Sequence, residues 1–457
     1  MKKKTTFFLI FSFSIFFFCY GILLKEYKIF PFKYIKIVED EITGFIKGHP
    51  ADSRTIFKRF RAELLHNKNN YLAKKDPYFS EYKFKKFNNK NIDKIDIKNF
   101  SYFSNLTKKN YFLISGSFLF NKSYWGVILI DTDGNLLRFW EFNKENYDSN
   151  SQHIGLALSK DGDIITNTHG VLRSVDWCNK LNWMADWKPL KERRGHDDID
   201  SPDYHHDIKV LDEYIYTFKG QSVVKVNLSD GKLIEKIDLV DLIKNAAKQN
   251  IFIFDSRFYI YQNYDFENLK TSDLDIFKTP DPTHFNKVDV LDSKKASYFN
   301  LFLKGDYLIS SRNLNLVFVY RPSTKKIIWY TIGRTSRQHD STFQNGHIMV
   351  FDNNPYTSTG SSLVKFSENN PLNPIERINL KKKYGIHAEW RGNFEYYDDD
   401  NTLLVSNDDR GQIIYAKLDG NDKFIFNNGT ERKKNLITFA SLKVEPEFIV
   451  NNEKKCK

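Results

Sequence analysis

The amino-acid sequence predicts an all-β fold, namely a six-bladed β-propeller of four-stranded blades, preceded by an N-terminal transmembrane helix and a short helical stalk. From residue 99 onward helical periodicity is nearly absent, and short apolar runs alternate with turn residues, as is typical of β-structure. The apolar runs come in groups of four, and six such groups of roughly 45 to 55 residues follow one another. An uncharged run rich in Phe, Ile and Leu precedes them at residues 5–24.

The N-terminal segment has the length and composition of a membrane span. Three lysines precede the apolar run, and a helix of about 20 residues is roughly 30 Å long, the thickness of a bilayer core. No small-residue cleavage pattern follows Leu24, so we expect an uncleaved signal anchor at residues 1–24. Lysines flank the run on both sides, and local charge therefore does not decide its orientation.

A juxtamembrane stalk is expected between the anchor and the β-repeats, over residues 25–98. Two short amphipathic helices are predicted within it, at residues 33–47 and 53–67. The second helix has apolar side chains on one face, with Asp52 or Ser53 as its N-cap. This face predicts that the stalk packs against the body that follows.

Six repeats can be delimited in that body, covering residues 111–142, 153–187, 205–237, 285–331, 341–380 and 393–426. In the third repeat four predicted strands are joined by tight turns, whereas the first repeat shows only its last three strands. Each such unit buries its faces only against its neighbours, so six of them predict a closed propeller at residues 99–440 with a C-terminal tail at 441–457. A sandwich or a β-helix fits less well, because neither predicts a four-strand period.

The composition is that of a packed, water-soluble body. Hydrophobic residues make up 41% and charged residues 28% of the 457 residues, with only 12 Pro and 21 Gly, which excludes disordered and collagen-like chains. A mean hydropathy of −0.53 excludes a polytopic membrane protein. The three cysteines, Cys19, Cys178 and Cys456, lie far apart without a CxxC pair, so we expect neither a disulfide scaffold nor a cysteine zinc site.

The net charge of +12 raises the question of a polyanionic partner, because lysine-rich faces bind nucleic acids through their phosphates. The lysines are spread through the whole chain, however, and are not concentrated on one helix or strand. We therefore interpret them as surface solvation and expect no nucleic-acid partner.

Histidines recur at the start of the first strand in successive repeats, and in a propeller this strand lines the central channel. They are His153, His206, His284 and His339. The second strand is antiparallel to the first, so the residues that follow it return to the same channel mouth; they are Asn167, Arg312, Asn353 and Asn407. Several imidazoles with one guanidinium and few carboxylates predict a pocket for an oxyanion rather than for calcium.

An acidic insertion with histidines, at residues 196–207, has residue types that can bind a metal ion. Its spacing matches no compact ligand motif, and the residues before it are typical of a solvated loop, so no metal is expected. A structural interpretation as turn or packing residues is preferred for a further group of histidines, namely His153, His169, His347 and His387.

Five short strings make the chain similar to the bacterial aryl sulfate sulfotransferases. They are HHD at 205–207, DPTHFN at 281–286, ISSRN at 309–313, QHD at 338–340 and VFDNN at 350–354. The resemblance covers roughly residues 111–429 and is most specific over 284–354. It implies a six-bladed periplasmic propeller that moves a sulfuryl group from one phenolic sulfate ester to another phenol through a sulfated histidine, without a nucleotide sulfate donor or other cofactor.

The resemblance also implies roles for individual residues. His339 would be the nucleophile, Arg312 would hold the sulfate oxygens, and His284 would bind sulfate and handle the proton. His206 is preferred to His205 as the fourth catalytic residue, because one of the two must face the channel and the pair cannot be aligned securely. Substrate-binding roles are expected for His205, Asn286 and Asn353.

The chemistry of sulfuryl transfer agrees with this assignment. Its transition state is loose and carries negative charge on the non-bridging oxygens, so the protein must supply cations, N–H donors and an acid for the leaving phenolate. A neutral imidazole can act as the nucleophile, and a protonated one as the acid. We expect ping-pong kinetics, with a small aryl sulfate as donor and a phenol as acceptor.

Two classes of function remain open from the sequence. One is a sulfotransferase held in the inner membrane by a single span, with its propeller in the periplasm. The other is a non-catalytic, membrane-anchored propeller that binds an anionic glycan or a protein partner, and retention of the core strings favours the enzyme. The anchor and stalk replace the β-rich N-terminal domain of some family members, and no cysteine pair after Arg312 could form a local disulfide, so the substrate range stays open.

Overall fold

Tight turns cut the chain into short antiparallel strands, as the third repeat shows. Asp212, with φ of 55°, connects the strand Tyr204–Leu211 to Tyr214–Lys219. Gly220, also with φ of 55°, connects the second of these strands to Ser222–Asn227. Asp and Gly adopt this left-handed backbone at low cost, and the chain can therefore reverse within two residues.

The computed structural model describes residues 83, 85–89, 100–119, 123–142, 155–185, 203–254, 283–355, 357, 359–388, 391–407, 411–428 and 438–456. The first strands in chain order are β1 (Lys85–Lys86), β2 (Asn88–Asn89), β3 (Phe100–Ser104), β4 (Tyr111–Leu119), β5 (Ser123–Asp131), β6 (Asn135–Glu141), β7 (Leu156–Leu158), β8 (Ile164–Thr166), β9 (Arg173–Val175), β10 (Leu181–Met184), β11 (Tyr204–Leu211), β12 (Tyr214–Lys219), β13 (Ser222–Asn227) and β14 (Leu233–Asp238). The remaining strands are β15 (Phe285–Val290), β16 (Tyr307–Ser311), β17 (Leu316–Arg321), β18 (Lys326–Ile332), β19 (Asp340–Phe343), β20 (Ile348–Asp352), β21 (Ser362–Phe366), β22 (Glu376–Asn379), β23 (Phe394–Tyr397), β24 (Thr402–Asn407), β25 (Gln412–Lys417), β26 (Lys423–Asn428) and β27 (Thr438–Val444).

Helices are short and connect or cap the strands. The α-helices in the described ranges are α1 (Leu239–Ala247), α2 (Ser293–Ala296), α3 (Leu380–Tyr384) and α4 (Pro446–Lys455), and short 3₁₀ turns cover Thr168–Gly170 and Asp398–Asp400. The side chain of Asp238 caps α1 by accepting a hydrogen bond from the backbone N–H of Asp241, which satisfies one of the free donors of the first turn.

In the described residues the strands form six sheets, which are antiparallel except where β2 pairs with β6, and the predicted six-bladed propeller of four-stranded blades is confirmed. Blade 2 consists of β7–β10, blade 3 of β11–β14, blade 4 of β15–β18 and blade 5 of β19–β22, each a simple meander. Blade 6 contains β23–β26 and is extended at its outer edge by β3 and β1. The first strands of neighbouring blades contact one another around the central channel, as β11 contacts β7 and β15.

Blade 1 joins the two ends of the propeller. It combines β4–β6 with β27, which comes from the C-terminal region and pairs with β4 as the innermost strand, and β2 pairs with β6 at the outer edge. This arrangement explains why the first repeat shows only three strands in the sequence. The propeller consequently extends beyond the predicted range of 99–440 at both ends, and residues 441–456 are not a free tail.

Part of the predicted stalk belongs to the propeller as well. Phe87, between β1 and β2, is buried and makes edge-to-face contacts with Phe100, Tyr102 and Phe426. The predicted transmembrane segment at 1–24 and the stalk helices at 33–47 and 53–67 lie outside the described residues. Within the part of the chain that the structure describes, no helix is both long and apolar enough to cross a bilayer.

A single disulfide joins Cys178 to Cys456, although the positions of the cysteines in the sequence predicted no disulfide scaffold. Their Cα atoms are 5.3 Å apart although the residues are 278 positions apart in the sequence. Ring closure through β27 brings α4 against blade 2, where the indole N–H of Trp177 donates to Glu453. Sequence spacing does not show such a pairing, because it depends on which blades the chain ends join.

The core lies between adjacent blades, as six hydrophobic clusters of buried side chains. The cluster between blades 4 and 5, for example, contains Val317, Val319 and Trp329 on one side and Val350 and Val364 on the other. Because every blade is covered on both faces, the six blades form one continuous ring around the channel.

Candidate active site

Two β-bulges shape the channel mouth. The register between β11 and β12 shifts between His205 and Ile208, and the register between β15 and β16 shifts between Phe285 and Lys287. His206 (φ 57°) and His284 (φ 50°) adopt left-handed backbone at these places. An extra residue in a strand redirects the side chains that follow it.

The mouth brings three of the predicted histidines together. The Nε2 atom of His206 is 3.2 Å from the Nε2 atom of His284. The ring centroids of His284 and His339 are 6.1 Å apart, with an interplanar angle of 76°. The three residues belong to blades 3, 4 and 5, and the blade spacing therefore delivers one imidazole from each to the same place.

His205 fixes the orientation of the His206 ring through a hydrogen bond. The His205 Nε2 atom is 2.6 Å from the carbonyl oxygen of Gly220, which can only accept a hydrogen bond, so Nε2 carries the proton. The Nδ1 atom of neutral His205 must then accept from Nδ1 of His206, 2.5 Å away. In this arrangement the Nε2 atom of neutral His206 presents its lone pair to His284. Thus His206, the residue preferred from the sequence, faces its neighbour in blade 4.

The imidazole of His339 is fixed in one tautomer. Its Nδ1 atom is 2.8 Å from Oδ1 of Asn353 and 3.0 Å from the carbonyl oxygen of Arg337. The amide of Asn353 is itself oriented, because its Nδ2 donates to the carbonyl oxygens of Ala388 and Arg391. With two acceptors in front of it, Nδ1 carries the proton, and Nε2 keeps its lone pair.

The Nε2 atom of His339 is buried and has no hydrogen-bond partner among the described residues. Burial, followed by the positive charge of Arg312 and the proximity of His284, holds the pKa of His339 well below its usual range. The ring is therefore neutral at physiological pH. A buried nitrogen with an unused lone pair is the arrangement expected of a nucleophile.

Arg312 and Asn286 complete the wall between blades 4 and 5. Arg312 follows β16, its side chain is mostly buried, and its backbone N–H donates to the carbonyl oxygen of His284 at 3.1 Å. Asn286 donates from Nδ2 to the carbonyl oxygen of Gln338 at 2.8 Å. Asn286 thereby holds the residue that precedes His339, while its own Oδ1 is buried without a partner in the described ranges.

Other residues predicted at the mouth have different surroundings. Asn167 donates to the carbonyl oxygen of His206 at 3.0 Å and thus supports the bulge. Asn407 donates to Oε1 of Gln412 within blade 6. His347, for which a turn or packing role was predicted, lies in the turn between β19 and β20, and its Nδ1 is 3.2 Å from the carbonyl oxygen of Asn345. His153 lies outside the described residues. In the ranges the structure covers, no three His, Cys, Asp or Glu side chains are grouped so that they could hold a metal ion.

Sequence reasoning missed a set of charged side chains below the histidines. The Nζ atom of Lys287 is 3.2 Å from Oδ1 of Asp207 and 3.1 Å from Oδ1 of Asp340, so that it joins blades 3, 4 and 5. A second ion pair joins Lys209 and Asp289 at 2.8 Å. A signal was present, because Asp207 and Asp340 directly follow the histidines of the HHD and QHD strings.

The fold and site define a six-bladed propeller with a buried imidazole, whose Nε2 has no hydrogen-bond partner in the described residues, near an arginine at one channel mouth. The arylsulfotransferase (ASST) family matches residues 155–429, more than half of the chain. The chain therefore belongs to the arylsulfotransferase family, as the resemblance of the five strings predicted. The match includes every one of the predicted site residues, from His205 to Asn353.

No curated protein matches the chain. Among solved structures, the chain is similar to a protein of unknown function from Bacteroides caccae, with 12% identity, a TM-score of 0.41, and coverage of 66% of this chain and 84% of that one. It is also similar to the computationally designed Ika8 protein, with 8% identity, a TM-score of 0.33, and coverage of 69% and 70%. For BamB from Moraxella catarrhalis the identity is 10%, the TM-score 0.32, and the coverage 71% and 73%.

Proposed function

We propose that this protein is an aryl sulfate sulfotransferase that works through a sulfated His339. It would take the sulfuryl group from a phenolic sulfate ester and pass it to a phenol, without a nucleotide sulfate donor. The observation that carries the proposal is the buried Nε2 lone pair of His339, with Nδ1 held by Asn353 and Arg337. Family membership supports the substrate class.

In the first half-reaction, the Nε2 lone pair of His339 attacks the sulfur of the aryl sulfate. The new N–S bond forms as the bond between sulfur and the aryl oxygen breaks, and the electron pair of that bond leaves with the phenolate. The phenolate takes a proton from the imidazole pair His206 and His284, one of which must be protonated at that moment. Free phenol is the first product.

In the second half-reaction, the acceptor phenol gives its proton back to the same imidazole pair as its oxygen attacks the sulfur. The N–S bond breaks, and its electron pair returns to Nε2 of His339. Because the two halves are mirror images, the enzyme regains its starting protonation state and needs no cofactor. The site therefore supports a ping-pong reaction with one sulfated intermediate.

Two groups stabilise the charges that develop. The guanidinium of Arg312 would bind the non-bridging oxygens of the sulfuryl group, where the transition state carries its negative charge. Positive charge develops on the His339 ring as Nε2 bonds to sulfur, and the two oxygen acceptors on Nδ1 stabilise it. We assign the amide of Asn353 to this positioning role, since its hydrogen-bonding groups face protein atoms.

We further propose that the protein acts outside the cytoplasm, anchored in the inner membrane by residues 1–24. The disulfide between Cys178 and Cys456 supports this location, because such bonds persist in oxidising compartments such as the periplasm. Fractionation of cells that express the full chain, followed by protease treatment of spheroplasts, tests the proposal. Protection of the propeller from external protease would contradict it.

The deciding experiment is intact-mass analysis of the full-length protein after incubation with 4-nitrophenyl sulfate and no acceptor. A gain of one sulfuryl group on the peptide that contains His339 is expected, and it should disappear when a phenol is added. The His339→Asn variant should gain nothing and release no nitrophenol beyond background. His347→Asn is the matched control, since it removes a histidine of the same blade away from the mouth. Activity that survives His339→Asn would contradict the proposal and favour an anion-binding propeller.

A further inference from the structure

The inner strands of blades 3, 4 and 5 each combine a histidine with a charged residue. A histidine of each strand lies at the mouth, and a charged side chain from the same strand lies below it in the channel. In the HHD and QHD strings the charged residues are Asp207 and Asp340, each directly after a histidine, and in blade 4 it is Lys287. We propose that Lys287 is a positioning residue, which holds the three histidine-bearing strands in the register that the proposed sulfuryl transfer needs.

The geometry shows why one side chain can do this. Lys287 follows the bulge of β15, and its Nζ reaches carboxylate oxygens on both neighbouring blades, at 3.2 Å to Asp207 and 3.1 Å to Asp340. Its side chain is 16% exposed, while that of Asp340 is 1% exposed, so the ion pairs are largely shielded from water. Shielded pairs impose a fixed geometry more strongly than solvated surface pairs do.

Each contact is transmitted to an imidazole through a single peptide unit. Asp207 is the next residue after His206 within the bulge of β11, and its carbonyl oxygen accepts from Oγ1 of Thr217. Asp340 is the next residue after His339, and its Oδ2 accepts from the backbone N–H of Phe394 in blade 6. A shift of either carboxylate therefore moves the histidine attached to it.

The surrounding charges keep Lys287 protonated. Burial disfavours its charge, but Asp207 and Asp340, with help from Asp289, outweigh that effect and raise the pKa of Lys287 above its usual value. The adjacent charged groups on the packed strands are Lys209, Asp289 and Glu395. Loss of Lys287 would leave two largely buried carboxyl groups without their shared counter-ion, and no ion pair would then join their strands to β15.

A neighbouring ion pair provides a matched control. Lys209 and Asp289 join blades 3 and 4 at 2.8 Å, only two residues further along the same strands than Asp207 and Lys287. Neither residue is adjacent in sequence to a histidine of the mouth. Breaking this pair also costs buried electrostatic energy, but it leaves the strand ends under the histidines in place.

The test uses the full-length protein and four variants: Lys287→Met, Lys287→Arg, the triple variant Lys287→Met/Asp207→Asn/Asp340→Asn, and the control Lys209→Met/Asp289→Asn. For Lys287→Met we expect kcat with 4-nitrophenyl sulfate to fall about 100-fold, the loss typical of a misplacement near 1 Å, with little change in KM. Lys287→Arg should regain most of the loss, because arginine can also bridge two carboxylates. The control pair should lower Tm yet leave kcat unchanged while the protein is folded.

The triple variant separates positioning from mere folding. It has no unpaired buried charge, so its Tm should recover relative to Lys287→Met, whereas kcat should stay low because nothing bridges the three strands. Recovery of kcat together with Tm would overturn the proposal, as would wild-type turnover in Lys287→Met. A structural role alone predicts that activity and stability recover together.

A second measurement does not depend on catalysis. The imidazole resonances of His206, His284 and His339 can be recorded in histidine-labelled protein and assigned from single His→Gln variants. Lys287→Met should shift them, and the control pair should not. If wild-type protein transfers no sulfate, the proposed function fails while this readout still decides the role of Lys287. Unchanged resonances in Lys287→Met would overturn it.

Discussion

The Oδ1 atom of Asn353 lies 2.8 Å from the Nδ1 atom of His339, and this contact determines which ring nitrogen can act. Asn353 follows β20 in the position that Arg312 takes after β16 in the preceding blade. Its Nδ2 is held by two carbonyl oxygens, so the amide cannot flip without losing both hydrogen bonds. The orientation of the proposed nucleophile is thus set by the backbone around Ala388 and Arg391, in the connection to blade 6.

Replacement of this asparagine by alanine tests that relationship. In Asn353→Ala the His339 ring keeps only the carbonyl of Arg337 as an acceptor and is free to rotate, so the Nε2 lone pair is no longer aimed at one place. We expect kcat to fall about 100-fold with KM within about threefold of wild type. Steady-state kinetics with 4-nitrophenyl sulfate and a phenol acceptor measure both constants.

Asn407→Ala is the control for this experiment. It removes the asparagine in the corresponding position of blade 6, where the side chain contacts Gln412 instead of a histidine. Its kcat should stay close to wild type. Equal losses in the two variants would mean that the contact with Nδ1 has no special role.

The depressed pKa of His339 predicts how the sulfation step depends on pH. The folded protein keeps His339 neutral below the ordinary histidine pKa of 6.5, so protonation of His339 should not slow its sulfation as the pH falls through 6.5 and should do so only at lower pH. In the unfolded chain, by contrast, His339 binds a proton below pH 6.5. His339 therefore costs no stability above pH 6.5 and lowers the free energy of unfolding as the pH falls below it.

A substitution of Arg312 provides a specific test of the low pKa of His339. Its charge is the second cause of the low pKa, after burial, so Arg312→Gln should raise the pKa of His339 and move the acid limb of the profile to higher pH. Single-turnover sulfation followed by mass spectrometry measures the limb even if the rate is low. Arg334→Gln, which changes an exposed arginine in the connection between β18 and β19 that leads to His339, should leave the limb unchanged. A limb that Arg312→Gln does not move would contradict the assignment of Arg312 to the site.

The sequence was sufficient for those features that repeat along the chain. Apolar runs in groups of four predicted the meanders, and the strings around His284 and His339 predicted which residues meet at the mouth, because blade spacing converts sequence distance into angular position. The partnership of His205 with Gly220 was not predictable, since it depends on a bulge that only the paired register shows. The same is true of Lys287, whose partners come from two other blades.

Ring closure could not be predicted from the sequence either, and it leads to a prediction about the C-terminal region. β27 is the inner strand of blade 1, so deletion of residues 438–457 should leave the edge of β4 unpaired and give aggregated or unfolded protein. Deletion of 446–457 removes only α4 and should give a folded propeller of lower Tm. Both deletions should carry Cys178→Ser, which avoids a free thiol. Size-exclusion chromatography and circular dichroism distinguish the two outcomes, and a folded 438–457 deletion would contradict the assignment of β27.

The disulfide between Cys178 and Cys456 should stabilise the closed ring by restricting the unfolded chain. It links residues 278 positions apart, and a cross-link over so long a loop removes much conformational entropy from the unfolded state. We expect the double variant Cys178→Ser/Cys456→Ser to lose about 2–5 kcal/mol of unfolding free energy relative to the oxidised wild type. Denaturant unfolding with and without a thiol reductant measures the difference. The reductant should lower the stability of the wild type to the level of the double variant and leave the variant unchanged, because the variant has no bond between these positions to break.

Sulfuryl transfer should persist in the folded double variant, since neither cysteine contacts the histidines at the mouth. Equal stability of the oxidised wild type and the variant would show that contacts of α4, such as Glu453 with Trp177, already close the ring without the covalent link.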